Sequence, residues 1–250
     1  MGPWVLLPAS GLLGLPVADT RSANSVVHLR WDDGFAIDAT IGANFPVLEY
    51  RGEDWAAQVG VEAAGFMGFD PDGALTFDLD TFDGVFGFPI SARTGPWSGR
   101  VEWAHVSAHF ADGIRDNGAL PGSGDQYSRE YIRLIAARDL GPARVYAGGR
   151  VLTHDARDSE PWMAQLGAEV FAPWRVAPYA AVDLQLAQEF DWSLAIAGQA
   201  GVAFPGNHSR FRVAMIGRHG PDDTGKLDGA RESYLGLGFG FDIGGVLATP

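Results

Sequence analysis

The stretch that decides the fold is Trp55–Met67, which reads Trp-Ala-Ala-Gln-Val-Gly-Val-Glu-Ala-Ala-Gly-Phe-Met. Apolar residues occupy positions 55, 57, 59, 61, 63 and 67, whereas Gln58, Gly60 and Glu62 fall between them. Because successive side chains of a β-strand point to opposite sides, this pattern predicts a strand with one apolar and one polar face. The same alternation recurs along the chain, for example over 35–41, 162–170 and 210–215.

About twelve alternating segments follow one another, and turn residues separate them. Most reach about ten residues or more, the length that a tilted strand needs to cross a bilayer. The predicted strands lie near 24–32, 35–45, 55–68, 82–92, 98–110, 127–138, 143–154, 161–172, 178–189, 191–204, 208–218 and 231–243.

Two kinds of connection alternate between these strands. Some are short and carry turn residues, as in Thr94-Gly95-Pro96 and Pro205-Gly206-Asn207. Most of the others are long and acidic, namely 70–83, 112–125, 155–160 and 220–232, while 189–192 is short. Short turns at one end and long loops at the other are typical of outer-membrane barrels, and an even strand count brings both termini to the short-turn end.

Composition narrows the class of protein. The 250 residues are 46% hydrophobic and include no Cys, which excludes disulfides and thiolate chemistry. The net charge of −13 argues against a nucleic-acid-binding protein. There is no apolar run long enough for a transmembrane helix. The apolar start Met1–Leu15 lacks the basic residues of a secretory signal. We therefore expect an N-terminal periplasmic extension over 1–23 and a single barrel domain over 24–250.

A soluble β-sandwich or lipocalin-like barrel has the same period but places its apolar face inside. Strand length and the position of Trp31, Trp55, Trp162 and Trp192 toward strand ends favour a membrane barrel instead. The sequence thus predicts an all-β, closed, antiparallel up-and-down transmembrane β-barrel of about twelve strands. Its polar face carries large charges that can pair across a narrow lumen: Arg100, Glu102, Arg129, Arg133, Arg144, Arg150, Glu169, Asp183, Arg210 and Arg212.

The segment Trp103-Ala-His105-Val-Ser107-Ala-His109-Phe-Ala-Asp112 resembles the His-x-Ser-x-His…Asp signature of domain-of-unknown-function family 1207. Further pieces resemble the same family in the same order, at 6–19, 69–85, 127–130 and 146–149. The resemblance implies a Gram-negative envelope protein and supplies no function. The predicted membrane barrel locates it in the bacterial outer membrane.

A weaker similarity is to the outer-membrane phospholipase A family, whose barrel also has twelve strands. In that family a His-x-Ser strand is followed by a strand with Asn-Arg-x-Tyr-x-Arg. Here His105-Val-Ser107 is followed by Ser128-Arg129-Glu130-Tyr131-Ile-Arg133, so that Ser128 stands where the family has Asn. The similarity implies a serine lipid esterase.

A serine hydrolase needs a nucleophile beside an imidazole base, and a third group that orients the ring. His105 and Ser107 are two residues apart on one predicted strand, so they share a face. That face is the apolar outer one, and Ser128 and Glu130 of the next strand share it. The candidate catalytic residues are therefore Ser107 as nucleophile, His105 as base, and Ser128 with Glu130 as orienting groups. The other interpretation is a polar rim that contacts headgroups and water.

The acidic loops also suggest a cation. His109 and Asp112 are candidates for binding a cation together with the loop carboxylates. The pairs Asp70/Asp72 and Asp78/Asp80 have a spacing that suits hard cations, and calcium takes such oxygen ligands. None completes a calcium-binding loop, and the remaining histidines show no metal spacing, so simple solvated loops are the alternative. Acidic loops can also hold lipopolysaccharide through bridging divalent cations.

These observations together predict an outer-membrane barrel with a structural or interaction role and a plugged, charge-lined lumen. Its expected partners are outer-membrane lipid or lipopolysaccharide, alone or within an oligomer or complex, and not nucleic acid. A lipid acyl hydrolase with a lipid-facing Ser/His site and a soluble periplasmic β-sandwich binding protein are the alternatives.

Overall fold

The computed structural model describes residues 3–32, 34–72, 76–111, 127–206, 209–222, 224–225 and 231–243. No helix among these residues is long and apolar enough to span a membrane. The described strands are β1 Trp4–Leu6, β2 Ser25–Trp31, β3 Phe35–Arg51, β4 Trp55–Asp72, β5 Thr76–Thr94, β6 Trp97–Phe110, β7 Tyr127–Leu140, β8 Ala143–Asp155, β9 Trp162–Phe171, β10 Ala177–Ala187, β11 Ser193–Pro205, β12 Ser209–Pro221 and β13 Arg231–Ile243.

Strands β2 to β13 form one closed antiparallel sheet. Each pairs with the next along the chain, and β2 pairs with β13 to close the ring. The predicted closed, up-and-down barrel of twelve strands is thereby confirmed. A β-sandwich consists of two sheets packed face to face, so the alternative of a sandwich fold is wrong.

The two faces of the ring have opposite polarity. Charged side chains on the inner face are buried, and both Arg212 and Asp83 are only 1% exposed. Large apolar side chains on the outer face are open, with Ile41 at 71% and Leu235 at 68% exposure. The predicted alternation is confirmed, with its apolar side outward. Exposed tryptophans stand near both ends of the barrel: Trp31, Trp162 and Trp192 at one end, and Trp4, Trp55, Trp97 and Trp174 at the other.

The extra strand β1 lies beside the lower part of β3, where Trp4 is opposite Tyr50 and Leu6 is opposite Leu48. The Arg51 N–H donates to the carbonyl of Pro3 at 2.7 Å, and the Leu7 N–H donates to the carbonyl of Val47 at 2.9 Å. A strand of three residues is too short for alternation to be visible in the sequence, which is why it was not predicted.

Three strands run four residues or more beyond their predicted ends. Strand β3 continues through Pro46 to Arg51, with a register shift between Pro46 and Leu48. Strand β4 continues to Asp72, and strand β5 begins already at Thr76. The two extended strands pair with each other as a hairpin. Proline has no N–H, but it is tolerated at bulges and edges. The long acidic loop predicted over 70–83 is therefore wrong, whereas the one predicted over 112–125 lies outside the described residues.

Residues 8–24, which we name the strap, leave the wall after β1 and return to it at β2. Val17 and Ala18 are almost completely buried. The Val17 N–H donates to Glu169 Oε1 at 2.7 Å, and its carbonyl accepts from Gln199 Nε2 at 2.6 Å. Both partners belong to the inner face of the ring. The extension predicted over 1–23 thus packs into the barrel domain, because its backbone polar groups find partners on the inner wall.

Candidate functional site

The predicted catalytic residues lie on two neighbouring strands near the end that carries the long connections. In the register of β6 and β7, His105 is opposite Glu130 and Ser107 is opposite Ser128. The alternate residues of β6 on either side of this pair, Ala104 and Ala108, are almost completely buried on the inside of the ring. The four predicted residues therefore share the outer face of the wall.

The contacts join these residues differently from the prediction. Ser107 Oγ lies 2.9 Å from His109 Nε2, whereas His105 Nδ1 lies 3.5 Å from Glu130 Oε1. Both histidines are two positions from Ser107 and share its face, so spacing alone does not choose between them. The Glu130 carboxylate, which lies opposite His105, decides between the two histidines, because it attracts the His105 imidazole across the strands. His109, rather than His105, is the residue hydrogen-bonded to Ser107.

A hydroxyl at 2.9 Å from an imidazole nitrogen has the separation of a nucleophile and its general base. Ser107 and His109 are both accessible from the outer face. Within the described residues, however, the other ring nitrogen of His109 has no hydrogen-bond partner that would orient it. The backbone carbonyl of Ser128 accepts a hydrogen bond from the Ala156 N–H at 3.0 Å. The arrangement supplies two members of a catalytic triad.

The predicted cation site remains a prediction. Asp112 and the side chains of Asp70 and Asp72 lie outside the described residues. Among the side chains that are described, no group of three His, Cys, Asp or Glu is placed to hold a metal ion.

A second concentration of polar groups lies inside the ring around Asp19 of the strap. Its carboxylate forms an ion pair with Arg133 and accepts from Gln165 Nε2 at 3.1 Å and Gln185 Nε2 at 3.2 Å. Asp183 extends the network, since it accepts from Gln165 Nε2 at 2.7 Å. One strap residue thus contacts three different wall strands.

Asp19 is held in its charged form. Burial raises the pKa of its carboxyl, but the Arg133 guanidinium, the Arg21 backbone N–H and the Gln165 amide lower it more. The pKa of Asp19 consequently lies below the usual value of an aspartate. A buried carboxylate with a partner on each side is stable as an anion.

Other strap contacts repeat this arrangement along the lumen. Gln58 Nε2 donates to the carbonyl of Ser10 at 3.0 Å, and Arg144 Nη1 donates to the carbonyl of Gly14 at 2.8 Å. At the far end of the strap, Arg21 Nη2 lies 2.7 Å from Asp83 Oδ2. Sequence reasoning missed this set, because the strap is mostly apolar and Asp19 and Arg21 are its only charged residues.

The remaining lumen charges pair with one another, as the sequence predicted. Arg100 forms ion pairs with Glu62 and with Glu102, the latter at 3.0 Å, and all three are buried. Arg129 lies 3.0 Å and Arg150 3.2 Å from Glu189, a residue of the turn after β10. The inner face is thereby cross-linked by charge from strand to strand.

Comparison with models of protein families identifies the family of this chain. The model of a family described as "Protein of unknown function (DUF1207)" matches residues 4–242, which include the strap and every strand of the closed ring. No curated protein matches the sequence.

Proposed function

We propose that this chain, which belongs to the DUF1207 family of unknown function, is an outer-membrane β-barrel whose lumen is plugged by its own strap. It serves as a structural or interaction barrel, and its partners are outer-membrane lipid and lipopolysaccharide. The observation that carries the proposal is the inverted polarity of the closed ring, with charges inside and apolar side chains outside.

The extent of the apolar outer face supports a lipid environment. Among the described residues, 39 large apolar side chains are exposed, and they occur on every strand of the ring. A soluble monomer rarely exposes an apolar patch of more than a few hundred Å². Closed barrels satisfy their backbone polar groups within the wall, as a membrane requires.

The strap supports the absence of an open pore. It contacts β4 through Gln58, β8 through Arg144 and β11 through Gln199, and so crosses the lumen from one side to the other. These contacts are direct hydrogen bonds between the strap and the wall. The interior of a porin, by contrast, is filled with water.

The test is refolding of the protein into vesicles and planar bilayers. We expect the tryptophans to be quenched by brominated lipid chains, and we expect no conductance. A matched variant that lacks residues 3–21 keeps all twelve strands of the ring and should conduct. Solubility without detergent would contradict the membrane location, and channel steps from the intact chain would contradict the plug.

A lipid acyl hydrolase is a second candidate, favoured by the Ser107–His109 hydrogen bond on the outer face. In this mechanism Ser107 Oγ attacks a lipid ester carbonyl, and its proton passes to His109 Nε2 and then to the departing alcohol. Water releases the fatty acid from the acyl-serine in a second step, with His109 again taking and returning the proton.

Protein refolded from inclusion bodies tests this candidate, since it carries no co-purified lipase. In mixed micelles with calcium, we expect fatty acid release that Ser107→Ala abolishes and His109→Ala lowers by about 10²–10⁴-fold. His105→Ala is the matched control and should retain most of the activity, because His105 contacts Glu130 instead. No release by the intact protein would reject the hydrolase and leave the plugged barrel untouched.

A further inference from the structure

The wall of the barrel is incomplete near the short-turn end, between β3 and β13. Strand β2 lies between these two, and its pairing with β3 covers only 35–40. The other neighbour on this side of β3 is β1, whose pairing spans 48–50. Ser25 Oγ of β2 hydrogen-bonds the backbone of Gly42, and the Leu7 N–H hydrogen-bonds the carbonyl of Val47. In the part of the chain that the structure describes, the edge of β3 therefore has no strand beside it over 43–46. The strap has turned into the lumen there.

A cavity of about 390 Å³ lies at this opening. Inside the ring it is lined by Leu13 of the strap and by wall residues that include Arg144. It is also lined by Ala43, Phe241 and Ile243, whose positions on their strands point outward. Residues of both faces thus line one cavity, which lies at the short-turn mouth of the ring and extends to the uncovered edge of β3.

The inner part of this cavity carries balanced charge. Three arginines and three carboxylates line it, and they form three ion pairs on three different parts of the ring. A ligand of one charge would leave this set unbalanced, whereas a ligand with one positive and one negative group can contact both kinds of side chain. The pairs are Arg93–Asp139, Arg144–Glu169 at 2.8 Å and Arg210–Asp242 at 2.8 Å.

The outer part is apolar. Ile41 and Phe45 of β3 and Ile243 of β13 flank the opening, and each is more than half exposed. A ligand that reaches out of the cavity at this point therefore meets side chains suited to hydrocarbon.

The depth of the cavity matches the surface of a bilayer. The turn Gly141-Pro142 lines it, which places it at the short-turn end. Trp97 begins the strand after another short turn and is 51% exposed on the outer face. Exposed tryptophans mark the level at which lipid headgroups lie.

We infer that this opening binds one zwitterionic glycerophospholipid, with its headgroup among the three ion pairs and its acyl chains along β3 and β13. The inference rests on the proposed membrane location and is independent of the hydrolase. A lipid of net negative charge fits less well, because each arginine already faces a carboxylate.

The experiment uses the full chain, refolded in detergent and checked for the folded state by heat-dependent gel mobility. Native mass spectrometry measures retention of phosphatidylethanolamine, phosphatidylglycerol and diacylglycerol. We expect one phosphatidylethanolamine to be retained with an affinity at least about tenfold above the other two. Ala43→Trp should fill the opening and lower retention by about tenfold, while Ala147→Trp, an outward position away from the cavity, should leave it unchanged.

A second measurement does not depend on the variants folding. Phosphatidylethanolamine with a photoactivatable headgroup is cross-linked to the intact protein, and the labelled peptides are mapped. Labels at 41–47 and 241–243 support the inference. Equal retention of all three lipids, equal loss in both tryptophan variants, or labels spread around the ring would overturn it. Failure of the barrel to enter vesicles would overturn the proposed function as well, whereas insertion without a retained lipid rejects this inference alone.

Discussion

Asp19 is the residue that ties the strap to the wall, and its charge makes that attachment dependent on pH. The pKa of its carboxyl lies below the usual value of about 4 in the folded protein. A group whose pKa is lowered by folding stabilises the folded state above its unfolded pKa and loses this contribution as the pH falls through the folded pKa. The attachment should therefore persist at neutral pH and weaken in acid.

A spin label tests this prediction, because the chain has no cysteine of its own. With a nitroxide on Ser10→Cys, we expect an immobile strap at neutral pH and a mobile one in acid, once the pH falls below the lowered pKa of Asp19. Asp19→Asn should be mobile already at neutral pH, since it leaves Arg133 without its carboxylate, and should change less on acidification. An immobile label in acid would show that Asp19 does not control the strap.

Single residues also show where sequence reasoning reaches its limit. The outward direction of His105, Ser107, Ser128 and Glu130 follows from the two-residue period, and the structure places them there. The choice of His109 as the partner of Ser107 does not follow, because it depends on the residue across the strand pair. A register between β6 and β7, which the sequence does not contain, was needed to see that Glu130 faces His105.

At the scale of the strand, the predicted bounds are wrong where a strand contains a proline, and a strand is missed where it is very short. The predictions for β3 and β4 end at 45 and 68, yet the strands continue through Pro46 and Pro71. In β3 the register shift after Pro46 absorbs the irregularity. The pairing of a short strand with the edge of another produces no alternation in the sequence. This is why the pairing of β1 with β3 was not predicted.

Strand β1 offers a prediction of its own. Val5 is opposite Glu49, between the Leu7–Val47 and Arg51–Pro3 hydrogen bonds. Val5→Pro should release β1 from β3, because proline cannot donate a backbone hydrogen bond. Hydrogen exchange should increase at 47–51, while heat-dependent gel mobility stays that of the folded barrel. Loss of the folded form would mean that the twelve-strand ring depends on β1, contrary to this expectation. Val5→Ala is the matched control.

At the scale of the whole molecule, the twelve-strand ring and the orientation of its faces could be predicted, because the period-two pattern repeats in every wall strand. The path of the strap could not, since an apolar segment of 8–24 is equally compatible with an extension beside the barrel. What decides its position is the set of inward polar side chains, such as Gln58, Glu169 and Gln199, whose hydrogen bonds are completed by the strap backbone. Partners so distant in the chain leave no local pattern.

The seating of the strap has a consequence for the order in which the chain assembles. Val17 contacts Glu169 and Gln199, which lie 152 and 182 residues later in the chain. The segment made first therefore acquires its partners only after most of the wall strands exist. The ring is closed by the pairing of β2, the first strand of the wall, with β13, its last strand. Closing such long loops carries an entropic cost and slows folding, so we expect the seating of the strap and the closure of this seam to be late steps of folding.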